Sequence, residues 1–101
     1  LGESLIDLIG TLPAQDDDTK YRQSVIDTFF EYGRLKSLPA QRKKREVVLR
    51  YILEPLEKGK SYTEQEMNDH ILRYNDDYCT IRREMIAFGL VTREHETYTV
   101  V

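Results

Sequence analysis

The sequence predicts a small, mainly helical α+β domain, and three observations carry that prediction. Apolar residues recur at spacings of three and four over four separate stretches, the mark of helices with one buried face. Thr63-Glu64-Gln65-Glu66 is a capping box, and Asn75-Asp76 makes a tight break before the next helix. The C-terminus closes on two β-rich runs, Leu90-Val91-Thr92-Arg93 and Thr97-Tyr98-Thr99-Val100-Val101, around the short turn Glu94-His95-Glu96. At 101 residues the chain has the size of one ordinary domain and needs compact elements around a continuous core.

The elements follow in chain order. Leu5, Ile6, Leu8 and Ile9 form a short amphipathic stretch ending at Gly10, so residues 1–19 read as a linker or a partial helix arriving from upstream. TLPAQDDDTK, with its proline and aspartate run, reads as a loop. Asp18 or Thr19 caps a helix through Phe30, with Tyr21, Val25, Ile26, Phe29 and Phe30 on its apolar side and Gly33 placed to end it. Pro39 is expected to open the second helix, since its missing N–H has no helical partner in the first turn. Val48, Leu49, Ile52, Leu53 and Leu56 make that helix's buried stripe, and Glu54-Pro55 marks its end. A turn around Gly59 leads to a short strand at Ser61-Tyr62. The capped third helix buries Met67, Ile71 and Tyr74. The fourth, from Asp76 to Phe88, buries Tyr78, Ile81, Met85 and Phe88 and is closed by Gly89. Two consecutive helices followed by a two-stranded hairpin are the layout of a winged helix-turn-helix with a small C-terminal β-hairpin wing, placed here over residues 20–101.

Net charge is −3, unevenly spread. Residues 1–33 carry −5, residues 34–50 carry +6 and residues 51–101 carry −4. One strongly basic segment inside an acidic frame can still present a binding surface for a polyanion. No apolar run approaches the length of a membrane helix, and the N-terminus lacks a basic segment followed by an apolar one, so neither membrane insertion nor secretion is expected. The single Cys79 permits no internal disulfide and suits a cytoplasmic protein. Because the chain starts at Leu1 rather than Met, an excised domain of a larger protein is expected.

Four blocks of sequence are specific. They are Gly33-Arg34-Leu35-Lys36-Ser37-Leu38-Pro39-Ala40-Gln41-Arg42-Lys43-Lys44-Arg45, Tyr62-Thr63-Glu64-Gln65-Glu66-Met67-Asn68, Asp76-Asp77-Tyr78-Cys79-Thr80-Ile81-Arg82-Arg83-Glu84-Met85, and Gly89-Leu90-Val91-Thr92-Arg93 with Tyr98 behind it. Through these blocks the chain resembles a bacterial domain family of uncharacterised function. Members of that family occur alone or attached behind the DNA-binding domain of regulators, including those like the arsenic repressor. The resemblance implies a winged-helix fold and nucleic-acid binding; Met67 stands where the family usually has valine, a small core change.

Two groups of residues are candidates for contact with double-stranded DNA. In the basic segment, Arg34, Lys36, Arg42, Lys43, Lys44 and Arg50 are candidate phosphate contacts, each neutralised phosphate adding a salt-dependent, sequence-independent increment of affinity. Helical geometry divides this run. Arg45 falls on the side of Val48, Leu49 and Ile52 and is expected in a structural ion pair, with Arg42 at the edge of that side. On the fourth helix, the side opposite the core is centred on Arg83, with Asp76, Cys79, Thr80 and Ala87 around it. Small residues around one arginine permit close approach to a groove, where Arg83 can meet guanine or a phosphate and Thr80 can assist. Arg93 on the wing is a further candidate, and Arg82, at the border of the core, is expected to pair with an acid. Asp76-Asp77 at the start of that helix, and Glu94 and Glu96 on the wing, oppose phosphate approach and leave open a protein-contact role for the same surface.

One cysteine and two scattered histidines, His70 and His95, make no metal-ligand pattern, and Gly33, Gly59 and Gly89 are separate turn positions. No enzyme activity, cofactor or metal is expected. The expected function is therefore a DNA-binding domain of a bacterial transcription regulator. The alternative is an accessory module behind a separate DNA-binding domain, serving dimerisation or effector response, with a homodimer or an N-terminal regulator domain as its partner.

Overall fold

The computed structural model describes residues 19–101; the Leu5–Ile9 stretch, the aspartate run and the Asp18 cap lie outside them. Among the described residues the domain is a small α+β unit of four helices and two small antiparallel sheets.

The first helix, α1, runs through residues 19–29 and buries Val25 and Ile26. It does not continue through Phe30, and Gly33 does not end it. Phe30–Glu31 (β1) instead pairs with Arg34–Leu35 (β2) in a tight hairpin, Phe30 opposite Leu35 and Glu31 opposite Arg34. The two turn residues, Tyr32 at φ 53° and Gly33 at φ 78°, are both left-handed, the backbone that matches the twist of two-residue hairpins. For a tyrosine this backbone costs about 1–2 kcal/mol.

Helix α2 covers Arg42–Leu53, starting later than Pro39 predicts. Pro39 is buried in the core, Gln41 is still extended at ψ 132°, and the Pro39 carbonyl accepts the Arg45 Nε–H at 2.8 Å. The proline therefore wedges the approach to the helix and anchors a side chain of its first turn. Val48, Leu49, Ile52 and Leu53 form the buried stripe, and the helix ends at Glu54, before Pro55, as read from the sequence.

Strand β3, Ser61–Thr63, passes directly into α3, Glu64–Leu72. Thr63 is both the last strand residue and the helix N-cap. Its hydroxyl accepts the Glu66 N–H at 3.1 Å, and the Glu66 carboxylate accepts the Thr63 N–H at 2.9 Å. After Asn75, α4 spans Tyr78–Ala87 and is capped by Asp77, whose carboxylate accepts the Thr80 N–H. Gly89, at φ 74°, closes α4: its N–H reaches Ile86 O and the Leu90 N–H reaches Met85 O.

Val91–Glu94 (β4) and Thr97–Val100 (β5) pair in register, Val91 opposite Val100 and Glu94 opposite Thr97. Strand β3 adds to the other edge of β5, Tyr62 opposite Tyr98, so the sheet order is β3-β5-β4. One core joins these layers. Leu49 and Ile52 of α2, Met67 and Ile71 of α3, Ile81 and Met85 of α4, and Tyr98 and Val91 of the sheet are all essentially closed to solvent. Each contributes roughly 2 kcal/mol of apolar burial.

Candidate nucleic-acid interface

The sequence-level candidates gather around α4, and the structure sorts them. Ile81 and Met85 face the core, while Asp76, Cys79, Thr80, Arg83 and Ala87 are exposed, as the helical projection predicts. Arg83 makes no ion pair with a described residue. It stands on a face whose other side chains are small.

Two further cations flank that face. Lys36 lines a cleft of about 460 Å³ together with Asp77, Thr80 and Glu84 of α4. Arg42, at the start of α2, stacks its guanidinium 4.3 Å from the ring centre of Phe88, the C-cap of α4. Lys36 thus lies beside the first half of α4 and Arg42 beside its end.

Most of the remaining candidate cations are engaged within the domain. Arg34 closes the C-terminus of α3: its Nη1 donates to the Leu72 and Arg73 carbonyls at 3.0 and 3.3 Å, and its Nη2 meets the Asp76 carboxylate at 2.9 Å. A cation there complements the helix dipole and balances one of the two aspartates before α4. Arg50 pairs with Glu46 one turn earlier on α2. Lys43 lies 4.6 Å from the Tyr21 ring centre and so leans toward α1, and Lys44 is half-buried. Arg93 donates to the His95 carbonyl at 2.8 Å and lies over the Tyr98 ring, which locks it to its own hairpin.

The two arginines assigned structural roles behave as expected. Arg45 bridges α2 to α4 through Glu84 at 2.5 Å. Arg82 binds Asn68 and lies 3.5 Å from Glu64, joining α4 to α3.

The α3–α4 turn is built by backbone and amide bonds rather than by the apolar pattern. Asn75 Oδ1 accepts the Asp77 N–H at 2.7 Å, and its Nδ2 donates to the Leu35 carbonyl at 2.9 Å. The Leu35 N–H in turn donates to Tyr74 O at 2.7 Å. The β1–β2 hairpin is thereby fastened against the entrance to α4. Sequence reasoning missed this hairpin, although the alternation Phe30-Glu31 and Arg34-Leu35 around Tyr32-Gly33 was its visible signal.

Charge divides along the chain more sharply than the net value indicates. Residues 19–101 hold all fifteen bases and thirteen of the eighteen acids, for a net of +2. Two of these acids meet where the start of α3 adjoins the β4–β5 turn. There Glu64 and Glu96 line one cleft, and the Glu64 N–H is bonded to the Glu96 carbonyl.

Among titratable groups, Tyr74 is held above the ordinary phenol range. Burial is the main cause, the Tyr51 and Glu54 charges add to it, and Arg73 opposes it. Tyr74 belongs to an edge-to-face aromatic group with Phe30, Tyr51 and His70 that packs the hairpin to α2 and α3. It is a packing residue, away from the α4 face.

Fold and site together define a small α+β domain with one helix offered to solvent on a mildly basic side. The chain belongs to the family described as "Uncharacterized protein conserved in bacteria (DUF2087)", whose model matches residues 34–100. No curated protein and no solved structure matches the chain. Helix α1, strand β1 and Tyr32 precede the matched segment. Among the described residues, no helix is long and apolar enough to cross a membrane.

Proposed function

We propose that this chain is a non-enzymatic winged-helix domain that binds double-stranded DNA through α4, as part of a bacterial transcription regulator. The order α2, β3, α3, α4, β4, β5, with β3 added beside β5, supports the winged-helix reading. In such a layout the second helix of the pair lies in the major groove, and here that is α4. The observation that carries the DNA reading is the open face of α4: Arg83 among Cys79, Thr80 and Ala87, with Lys36 and Arg42 to either side. The carboxylates at the start of α4 oppose it less than their sequence implies. Asp76 is balanced by Arg34, and Asp77 is turned to its own helix.

Fluorescence anisotropy with generic duplex DNA, at low and moderate salt, tests the reading. Lys36→Ala should weaken binding to all sequences and reduce the salt slope by about one. Arg83→Ala should weaken binding roughly 5- to 150-fold and also change preference among sequences. Absence of binding at low salt overturns the proposal.

A second reading has its own support in the carboxylates at the β4–β5 turn, Glu94 and Glu96, with Glu96 sharing a cleft with Glu64 of α3; they suit a basic protein surface better than a phosphate backbone. There the domain is an accessory interaction module behind a separate DNA-binding domain. Sedimentation of the chain at high concentration tests its homodimeric form, and a strict monomer removes it.

A further inference from the structure

The turn of the β1–β2 hairpin carries a residue that neither stability nor backbone geometry explains. Tyr32 is 96% exposed, so its ring adds nothing to the core of the free domain. Its backbone is left-handed at φ 53°, where asparagine or glycine fits with less strain. A large aromatic placed against local preference, fully in solvent, points to a use outside the fold.

The position of the hairpin indicates that use. Two residues after Tyr32, Arg34 is bonded to the last carbonyls of α3 and to Asp76, and Leu35 is bonded to Tyr74 and Asn75. These contacts fix the hairpin beside the N-terminal entrance of α4 and leave its tip projecting. Were α4 to occupy a major groove, a hairpin fastened at its entrance would lie within reach of the flanking sugar–phosphate strand and minor groove. An uncharged ring with one polar end suits the apolar deoxyribose wall found there.

We propose that Tyr32 is a second DNA contact, its ring packed in the minor groove flanking the segment occupied by α4. This inference rests on the DNA-binding reading above and extends it to a residue outside the matched family segment. The contact reads no base edge, so it adds affinity without sequence preference. It neutralises no phosphate, so it leaves the salt dependence unchanged.

The test is Tyr32→Asn, which relaxes the turn and keeps the fold. Thermal melting should show stability equal to or above that of the parent. Anisotropy should show binding about tenfold weaker on every duplex tested, with an unaltered salt slope. Because the chain contains no tryptophan, Tyr32→Trp supplies a single reporter. Its quenching by acrylamide should fall several-fold when duplex DNA is added.

If the parent chain and Lys36→Ala behave as expected but Tyr32→Asn binds like the parent, the Tyr32 contact is overturned and the α4 reading stands. The contact is overturned in the same way if acrylamide reaches Trp at this position equally with and without DNA. It falls too if Tyr32→Asn abolishes self-association while DNA binding is untouched, because the tip would then be a protein contact. If the parent binds no DNA, both proposals fall together.

Discussion

Removing the Glu84 carboxylate tests the junction that sets α4 against α2. Arg45 and Glu84 are 29% and 22% exposed, and their Nη1 and Oε1 atoms lie 2.5 Å apart. Glu84→Ala leaves the Arg45 charge largely enclosed with one remaining acceptor, the Pro39 carbonyl at 2.8 Å. Exposed ion pairs contribute about 0.2–1 kcal/mol, whereas breaking a fully buried pair costs about 3–5 kcal/mol. A pair about three-quarters enclosed, with one partner still bonded elsewhere, belongs between these limits, at about 2 kcal/mol. For a domain of this size that corresponds to a melting temperature lower by roughly 8–16 °C. Far-UV circular dichroism measures it, and urea titration should show a lower midpoint with an unchanged slope. Replacing both partners, as Arg45→Met with Glu84→Leu, should recover most of the loss, since two apolar groups leave no charge stranded. A loss below about 0.5 kcal/mol for Glu84→Ala would show the pair to be a surface contact, and the account of how α4 is held would be wrong.

Three further outcomes follow from local geometry. Thr63→Ala removes the hydroxyl half of the capping box and should cost about 1 kcal/mol by urea titration. Gly89→Ala meets no atom within 4 Å but must keep φ 74°, so its cost should be conformational only, about 1 kcal/mol in the same assay. Tyr74 resists ionisation in the folded state, mainly because it is buried. Its stabilising contribution is therefore present below the ordinary phenol range and is lost as pH rises through that range to its raised folded value. Melts between neutral and strongly alkaline pH should show a decline that Tyr74→Phe reduces; an identical decline in both proteins would show that other groups cause it.

The legible parts of this fold were those where a local rule and the tertiary structure agree. The Thr63–Glu66 box and the Gly89 stop rest on contacts within a few residues, and the Ile81–Met85 stripe shows one helical spacing on the side that meets the core, so spacing alone reveals all three. The β1–β2 hairpin was hidden because its turn is Tyr-Gly rather than Asn-Gly, and a glycine after an amphipathic run reads equally well as a helix stop. Pro39 misled for a similar reason. A proline before a basic run suits a first helical turn, but burial of its ring and the Arg45 bond to its carbonyl set the helix start at Arg42. In the candidate interface, projection onto α4 placed Arg83 and Thr80 outward and Arg45 inward. It had no means of showing that Arg34 caps α3, or that Arg93 is tied to His95, because those partners come from loops and carbonyls.

Thr63 belongs to β3 and also caps α3, while the next N–H, from Glu64, is bound by Glu96 at the tip of the β4–β5 turn. No linker consequently separates the sheet from α3: a push on the hairpin tip is delivered to the first turn of α3 without an intervening hinge. Anything that bears on the β4–β5 turn would therefore be felt at the capped end of α3, and strand and helix would answer it together.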